Sequence, residues 1–245
     1  MALHFVDPGA ATAQPGDAVV LTGAEAHHAA AVRRVRVGEE VTVGDGAGVW
    51  LTGECEQVAP REVVVRVTAR TEVPAPSPRI TLVQALAKGD RDELAAQAAT
   101  ELGVDAVIPW QAARSVSRWE GQKSEKGRAR WETIVREAAK QAHRPWIPVV
   151  APPARTAEVA GLAASALVLV LEPSATTPLT ALTDEIRAAT ELVLVVGPEG
   201  GIAPEERTRL EDAGARIVRL GAEVLRTSTA GPAALAAIAV ALGRW

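Results

Sequence analysis

The chain has very few of the residues that form covalent or metal cross-links. It contains a single cysteine, Cys55, which excludes an intramolecular disulfide and fits a reducing compartment. Its four histidines share no metal-ligand spacing with this cysteine, so a structural zinc site is not expected. Tyrosine is absent, and phenylalanine and lysine are scarce, whereas alanine and arginine are abundant. This bias is more typical of coding preference than of function.

Segments that would direct the chain to a membrane or out of the cell are also missing. The N-terminal sequence MALHFVDPGA lacks the basic and apolar regions of a signal peptide. Apolar runs such as ALVLVL and PAALAAIAVALG have the lengths of a buried strand and a buried helix. With 245 residues, 48% hydrophobic and 23% charged, the sequence predicts a cytoplasmic protein of one large domain or two small ones.

The net charge of −4 is unevenly distributed along the chain. Residues 111–146 contain nine basic and four acidic side chains, a surplus of +5 that leaves −9 for the rest. Such a surplus can steer a polyanion to one face of an acidic protein. A solvated helix with internal salt bridges explains the same count, and the charge alone leaves both explanations open.

Residues 1–72 are predicted to form a small β-barrel. Strand-like runs such as DAVVLTG and REVVVRVTAR are separated by glycine turns, and GDGAG joins two runs as a hairpin turn would. One short helix, GAEAHHAAAVRRV, interrupts the strands. Residues 73–78, VPAPSP, contain three prolines and are predicted to form a stiff linker.

Residues 79–245 show another pattern, in which apolar strands alternate with helices. Runs such as RITLVQAL, ALVLVLEP and ELVLVVGP are apolar on both faces, which is typical of a parallel sheet covered by helices on both sides. The helix DRDELAAQAATELG places Leu94, Ala98 and Leu102 on one stripe and ends at Gly103. The predicted fold class is therefore α/β, with ligands expected beyond the carboxyl ends of the strands.

The loop VVGPEGGIAPEE, residues 195–206, lies at one of these strand ends and has unusually many glycines and prolines. Pro204 suits the first turn of the following helix. The loop matches neither G-x-x-x-x-G-K-[ST] nor G-x-G-x-x-G, and no lysine follows it, which disfavours a phosphate or dinucleotide site. Glu199 suits a neutral or cationic ligand, such as a nucleoside or a sulfonium. A tight connection without a ligand is the alternative.

Two further strand ends carry similar features. The segment RLGAEVLRTSTAGPAAL places the hydroxyls of residues 227–229 before an apolar helix, where they can cap it or bind a ligand. Arg226 can meet a phosphate or carboxylate, although a surface ion pair is the commoner place for an arginine. Residues 171–173 end another strand. We expect the three turns to converge on one pocket.

These motifs resemble those of the small-subunit ribosomal RNA (uracil-N3)-methyltransferases of the SPOUT superfamily. GPEGG followed by LG…VLRT-x-TA is similar to the paired C-terminal motifs of that family. KGDRDELAAQAATELGVDAVIPW and RWETIVREAAKQAHRPWIP resemble its catalytic domain, and HHAAAVRRVRVGEEVTVGDGAG resembles its PUA-like barrel. The similarity covers nearly the whole chain, and the motifs occur in the family's order.

The resemblance implies a fold, a cofactor and a product. The family's catalytic domain contains a C-terminal trefoil knot, an exception to the general avoidance of threaded chains. It binds S-adenosyl-L-methionine in the knotted loops, acts as a homodimer, and would form 3-methyluridine in 16S ribosomal RNA. The implied cofactor-binding residues are Leu171, Glu172, Pro173, Gly197, Pro198, Glu199, Gly200, Gly201, Leu220, Gly221, Val224, Leu225, Thr227, Ser228 and Ala230.

Catalytic and RNA-binding residues are hypotheses drawn from the chemistry that this activity would need. Arg226 would stabilise a developing uridine anion. Glu199 is a candidate general base, and the alternative is that it shapes the pocket without a part in the chemistry. Trp119, which Arg114 and Arg118 flank, is a candidate for stacking on a base, although burial is the commoner outcome for a tryptophan. The predicted RNA-binding residues are Arg33, Arg34, Arg36, Arg114 and Arg118, and a solvated helix face is the alternative explanation of the arginine run.

Two departures from the family pattern leave rival functions open. The chain reads LRTSTA where the family commonly has LRTETA, so that Ser228 replaces an acid, and the family's early arginine is absent. These features favour a non-catalytic RNA-binding protein as the main rival. A second rival is a nucleotide-dependent enzyme that uses GPEGG for phosphates, and a third is a methyltransferase that acts on a different RNA.

Overall fold

The computed structural model describes residues 3–245 and separates into two compact units. One unit runs to Ala75 and also includes Ala139–Ile147, and the other comprises Pro76–Ala138 and Pro148–Trp245. The predicted division into residues 1–72, 73–78 and 79–245 therefore omits the later segment that packs with the barrel. Met1 and Ala2, with which the predicted barrel begins, lie outside the described residues.

The first unit is a curled, mainly antiparallel sheet with strand order β1-β3-β4-β5-β2. Its strands are β1 (Leu3–Val6), β2 (Ala18–Thr22), β3 (Glu40–Gly44), β4 (Val49–Ala59) and β5 (Glu62–Glu72). The predicted GDGAG hairpin joins β3 to β4, and the predicted helix is α1 (Gly23–His27) followed by a π-helical turn, His28–Val32. The core contains Phe5, Leu21, Leu51 and Val65.

Residues 139–147 belong to the first unit through specific polar contacts. The Lys140 ammonium donates to Glu25 Oε1 at 2.8 Å, and both side chains are largely buried. The Trp146 indole N–H donates to the Val73 carbonyl at 2.9 Å, and the Ile147 amide donates to Gly46 at 2.9 Å. These partners are distant in sequence, so a composition change at the linker could not reveal them.

The second unit confirms the predicted α/β class. Its six described strands are all parallel and lie in the order β11-β9-β10-β6-β7-β8. The strands are β6 (Arg79–Ala85), β7 (Ala106–Trp110), β8 (Val149–Val150), β9 (Leu167–Leu171), β10 (Glu191–Val196) and β11 (Arg216–Val218). The helices are α2 (Arg91–Glu101), α3 (Gln122–Gln141), α4 (Thr156–Gly161), α5 (Thr183–Ala188), α6 (Pro204–Asp212) and α7 (Thr227–Ala241). The last three residues of α3 belong to the first unit.

Helices cover both faces of this sheet. Val83 and Val195 form one core cluster with Val159 of α4 and Leu210 of α6. On α7, a Cβ at Gly231 would lie 3.2 Å from Leu82, whose side chain points to the opposite face from that of Val83. The strands are therefore buried from both sides, which explains their continuous apolar sequences.

The apolar stripe of α2, Leu94, Ala98 and Leu102, is only partly buried. Leu94 is 48% exposed, and the residues that α2 buries are Asp92, Ala95, Ala96, Ala99 and Thr100. Small side chains let α2 pack closely against its neighbour α7. The buried face of α2 therefore contains alanines, and Leu94 lies on the exposed face. The helix end was predicted correctly, since Gly103 has a φ of +96°.

Candidate functional site

The loops after three adjacent parallel strands form one cavity. Strands β11, β9 and β10 are neighbours in the sheet, so their carboxyl ends lie side by side at one edge. The residues that follow them enclose a cavity with a volume of about 370 Å³. This is within the usual size range of small-molecule sites, about 300–1,000 Å³. The convergence predicted from the three turns is thus present in the structure.

Most of the predicted cofactor residues line this cavity. The exceptions among them are Gly200 and Ser228, which the lining does not include. The cavity wall also contains residues that were not predicted from the sequence: Arg91, Val196, Ile202, Arg219 and Glu223. Arg219 and Glu223 lie within or directly beside the LG…VLRT motif, so their position was a usable signal. Arg91 lies on α2, and only the tertiary structure brings it here.

The glycines of the GPEGG loop have separate structural reasons. A Cβ at Gly197 would lie 2.7 Å from Ile202 Cγ1, which is too close for any side chain. Gly201 has a φ of +72°, and its amide donates to the Pro198 carbonyl at 2.9 Å. The loop therefore makes a tight turn that brings its backbone to the cavity.

Glu199 is held by Arg91 of α2 and by a backbone amide just before that helix. Its Oε1 accepts from the Lys88 amide at 3.1 Å and from Arg91 Nη1 at 3.0 Å. Partial burial acts to raise the pKa of Glu199, but its own amide, the Lys88 amide and Arg91 outweigh this and lower the pKa. A carboxylate stabilised in this way is a weak proton acceptor, and its contacts instead fix the GPEGG loop to α2.

A buried hydroxyl connects the two principal loops. Thr227 Oγ1 donates to the Gly197 carbonyl at 2.8 Å and accepts from Gln84 Nε2 at 2.8 Å. The directions are fixed because a carbonyl can only accept and the hydroxyl has one hydrogen. Gln84 is fully buried at the end of β6, and its Oε1 has no partner among residues 3–245. The Gln84 side chain thus holds Thr227 in place through the hydrogen bond that its Nε2 donates.

Two arginines present unpaired guanidinium groups to the cavity. Neither Arg226 nor Arg219 has a side-chain hydrogen bond or ion pair within the part of the chain that the structure describes, and both line the cavity. Arg226 is exposed at the N-terminal end of α7. An unpaired guanidinium is free to bind a carboxylate, a phosphate or a developing oxyanion.

The predicted RNA-binding arginines fall into two groups. Arg33, Arg34 and Arg36 are exposed on the first unit, directly after its helical segment. Arg114 and Arg118 are exposed on the second unit, but each guanidinium donates to a backbone carbonyl at 3.0 Å, Arg114 to Gly200 and Arg118 to Ala113. Arg114 therefore holds the GPEGG loop, whatever else it contacts.

Glu206 anchors the helix that follows this loop. It is 8% exposed, and its Oε1 accepts from the Ala113 amide at 2.9 Å and from the Thr156 hydroxyl. Its Oε2 accepts from the Ala203 amide at the start of α6. One buried carboxylate thereby joins the loops after β7 and β10 to α4.

Two kinds of feature are missing from residues 3–245. They contain no group of three or more His, Cys, Asp or Glu side chains that could hold a metal ion. Within the same described range, no helix has the length and apolar character needed to cross a membrane.

Comparison with known proteins identifies both units. The family described as "RNA methyltransferase domain" matches residues 74–239, and "RNA methyltransferase PUA domain" matches residues 21–68. The first match spans the strands and loops that form the cavity. The second lies within the curled sheet, in agreement with the predicted PUA-like barrel.

Individual relatives are similar over nearly their whole length. Ribosomal RNA small subunit methyltransferase E of Mycobacterium tuberculosis is 47% identical and aligns over 94% of this chain and 89% of its own. The protein of the same name from Bacillus subtilis is 32% identical and aligns over 89% of this chain and 88% of its own. The crystal structure of the Neisseria gonorrhoeae enzyme of this name, bound to S-adenosyl methionine, is 29% identical, covers 98% of both chains and has a TM-score of 0.87. The chain belongs to the RNA methyltransferase family.

Proposed function

We propose that the protein transfers a methyl group from S-adenosyl-L-methionine to N3 of a uridine in 16S ribosomal RNA, which forms 3-methyluridine. The observation that carries this proposal is the cavity enclosed by three loops at the ends of β9, β10 and β11. Relatives named ribosomal RNA small subunit methyltransferase E support the substrate class. The related structure bound to S-adenosyl methionine supports the cofactor.

The chemistry of the cavity wall fits this cofactor. Leu171, Pro173, Ile202 and Leu225 give apolar surface for an adenine ring, and backbone groups of the glycine loop lie beside them. Charged side chains of both signs line the same wall, and they suit the zwitterionic amino-acid end. When bound, S-adenosylmethionine supplies an electrophilic methyl group on a positively charged sulfur.

Arg226 is proposed to stabilise the uridine as N3 loses its proton. N3 carries a hydrogen in the neutral base and is a poor nucleophile until that hydrogen leaves or is shared. A guanidinium at the cavity rim can donate to the oxygen on which negative charge develops. Its position at the start of α7, one residue before Thr227, fixes it beside the cofactor loops.

The two glutamates of the site are proposed to position the loops. Glu199 is bound by Arg91 and Lys88, and the lowered pKa of Glu199 makes it less suitable as a base. Glu172 Oε1 accepts from the amide and the hydroxyl of Ser174, which shapes the turn after β9. Proton removal from N3 is therefore assigned to solvent, assisted by Arg226, and not to a carboxylate.

The test is the modified-nucleoside content of ribosomal RNA. In a strain that lacks the gene, mass spectrometry of 16S ribosomal RNA should show loss of 3-methyluridine, and the wild-type gene should restore it. Arg226→Ala should lower the methylation rate by about 100-fold or more, while calorimetry still detects S-adenosylmethionine binding. Arg216→Ala, on an exposed arginine paired with Glu185, is the matched control.

Each outcome separates one hypothesis from another. A wild-type protein that gives no binding heat with S-adenosylmethionine would indicate a non-catalytic RNA-binding protein. Methylation by Arg226→Ala at the wild-type rate would remove the assignment of that arginine. A deletion strain that retains 3-methyluridine but loses another methylated nucleotide would identify a different RNA target.

The first unit, whose predicted range is residues 1–72, is proposed to contribute RNA affinity. Arg33, Arg34 and Arg36 are exposed and have no side-chain partner among the residues that the structure describes. Phosphate contacts of this kind make binding salt-dependent. Replacement of the three arginines by glutamine should weaken RNA binding and flatten its salt dependence, with S-adenosylmethionine binding unchanged. We place this activity in the cytoplasm, on RNA of the small ribosomal subunit.

A homodimer is proposed from the uncharged surface of α7. The helix contains no charged residue from Thr227 to Ala241, yet Val240 is 62% exposed. Leu94, on the neighbouring α2, is 48% exposed. An apolar helix surface of this kind is normally covered. Light scattering should give a dimer mass for the wild type and a monomer mass for Val240→Glu, and a monomeric wild type would contradict the proposal.

A further inference from the structure

A second cavity of about 330 Å³ lies beside the end of β7 in the second unit. Its lining includes Gln111, Trp119, Glu120, Pro153 and Arg155. It is distinct from the cofactor cavity, with which it shares no lining residue. An aromatic ring, a guanidinium and polar groups that can pair with a base edge are therefore gathered at one place.

Trp119 is held flat against α3 by a glycine. A Cβ at Gly127 would lie 2.6, 2.7 and 2.8 Å from three fused-ring atoms of the indole. Similar distances to three ring atoms mean that the helix backbone approaches the face of the ring and not its edge. Trp131, fully buried, meets Trp119 in a T-shaped contact with centroids 5.4 Å apart. The helix backbone thus covers one indole face, and Trp119 also lines the cavity.

This arrangement explains a glycine inside a long helix. Gly127 lies inside α3, where glycine costs about 1 kcal/mol relative to alanine. Its φ is not in the left-handed region, so backbone conformation does not require glycine. The absence of a side chain is needed to seat the indole, which makes Trp119 a rigid platform.

The polar groups of the cavity are available to a ligand. The guanidinium of Arg155 is exposed and has no hydrogen bond or ion pair among the residues that the structure describes. Gln111 Oε1 accepts from the Trp119 amide at 2.9 Å, which leaves its NH₂ group to donate. The exposed carboxylate of Glu120 can accept from the N–H groups of a base, and it disfavours a phosphate on its own side of the cavity.

The loop that carries Trp119 also contacts the cofactor loop. Arg114, five residues earlier, donates from Nη1 to the Gly200 carbonyl at 3.0 Å. Its Cβ is 3.3 Å from where a Cβ of Gly200 would lie. The loop that lines the second cavity is therefore in direct contact with the loop that lines the cofactor cavity.

We infer that this cavity binds one nucleotide of single-stranded RNA, with its base stacked on Trp119 and its phosphate on Arg155. The inference rests on the proposed function, since the strand that it holds is the one whose uridine is methylated. Aromatic platforms of this kind accept any base because each base has a π-face. Arg155, as a guanidinium, matches phosphate geometry.

Binding of a short fluorescein-labelled oligouridylate across a salt series tests the inference. Trp119→Leu should lower the affinity by about tenfold without changing the slope of log Kobs against log salt, because stacking involves no counterion release. Arg155→Gln should reduce the magnitude of that slope by about 0.7, the value for one phosphate contact in a single strand. Trp245→Leu, on a tryptophan that is 66% exposed at the C-terminus, is the matched control.

Gly127→Ala gives an independent test, because the added methyl group displaces the indole. We expect it to weaken oligouridylate binding as Trp119→Leu does, whereas Gly161→Ala, where a Cβ meets nothing within 4 Å, should have no effect. Cross-linking of wild-type protein to a 4-thiouridine oligonucleotide needs no variant and should label the peptide that contains Trp119.

Equal affinities of Trp119→Leu and Trp245→Leu, or labelling confined to other peptides, would overturn the inference. Wild-type protein that does not bind the oligonucleotide at all would overturn it as well. In each of these three cases calorimetry with S-adenosylmethionine distinguishes this failure from that of the proposed function: cofactor binding persists if only the RNA cavity is misassigned.

Discussion

Replacing Thr227 by valine tests whether the hydroxyl that joins two loops prepares the cavity for its cofactor. Valine keeps the shape but removes the hydrogen bonds to Gln84 and Gly197, both 2.8 Å long. Thr227 is 5% exposed and Gln84 is fully buried, so water cannot readily replace either bond. Two lost bonds at about 1 kcal/mol each, with a buried donor left unpaired, predict a loss of about 2–3 kcal/mol in the free energy of unfolding.

The same change should weaken S-adenosylmethionine binding by about tenfold, because a released Gly197 loop must be ordered again on binding. Urea unfolding gives the stability, and calorimetry gives the dissociation constant. Thr227→Ser keeps the hydroxyl and should bind like the wild type, although it loses a buried methyl group. If the valine and serine variants bind the cofactor equally well, the hydroxyl has no positioning role.

Gln84→Glu extends the test, because it keeps the shape, reverses the hydrogen bond to Thr227 and removes the one that Nε2 donates to the Ala85 carbonyl at 3.2 Å. A carboxylate cannot donate, so the single hydrogen of Thr227 turns towards it and away from Gly197. Cofactor affinity should be low at neutral pH and recover as the pH falls and the new carboxyl group becomes protonated. Burial raises the pKa of such a group, which brings the recovery into an accessible range. Gln97→Glu, on the exposed face of α2, should show no such profile.

Three further predictions concern stability and reactivity. Burial lowers the pKa of His4 from 6.5 to about 3, so the unfolded state takes up a proton first as the pH falls. The free energy of unfolding should therefore be at its full value above pH 6.5 and lower by about 2 kcal/mol at pH 5. His4→Asn should abolish this loss, as measured by urea unfolding. Burial also raises the pKa of Cys55 to about 11, so a thiol reagent should label it only on unfolding. Glu206→Gln should lower the free energy of unfolding by about 2 kcal/mol, because an NH₂ group would take the place of the oxygen that accepts from the Ala203 amide. Glu205→Gln, at an exposed position, should leave the free energy of unfolding unchanged. Unchanged values in any of these measurements would contradict the corresponding burial argument.

The order of elements could be predicted because strand and helix alternate with clear apolar periods. The parallel sheet, the hairpin at GDGAG and the glycine at the end of α2 all follow from local chemistry. The buried face of α2 could not be predicted in this way, since leucine is ordinarily the stronger marker of burial. Leu94 lies outward because alanines allow α2 to approach α7 more closely.

The site was predictable as far as it consists of consecutive residues at strand ends. The three loops could be found because parallel strands bring their carboxyl ends to one edge. The contacts that hold the loops could not be found, since they join residues far apart in sequence. Gln84 and Thr227 are 143 positions apart, and Arg91 and Glu199 are 108 apart. Nothing local to any of these residues indicates its partner.

The basic surplus of residues 111–146 shows how a charge count differs from a binding surface. Arg114 and Arg118 donate to backbone carbonyls, Arg128 and Arg130 pair with glutamates, and Lys140 is buried against Glu25. Much of the surplus therefore stabilises the fold, as the salt-bridge explanation predicted. The arginines that we assign to ligands meet a stricter condition, since their guanidinium groups have no partner among the described residues. Such a group gives up no internal contact when it binds an anion, which favours binding there over binding at a paired arginine.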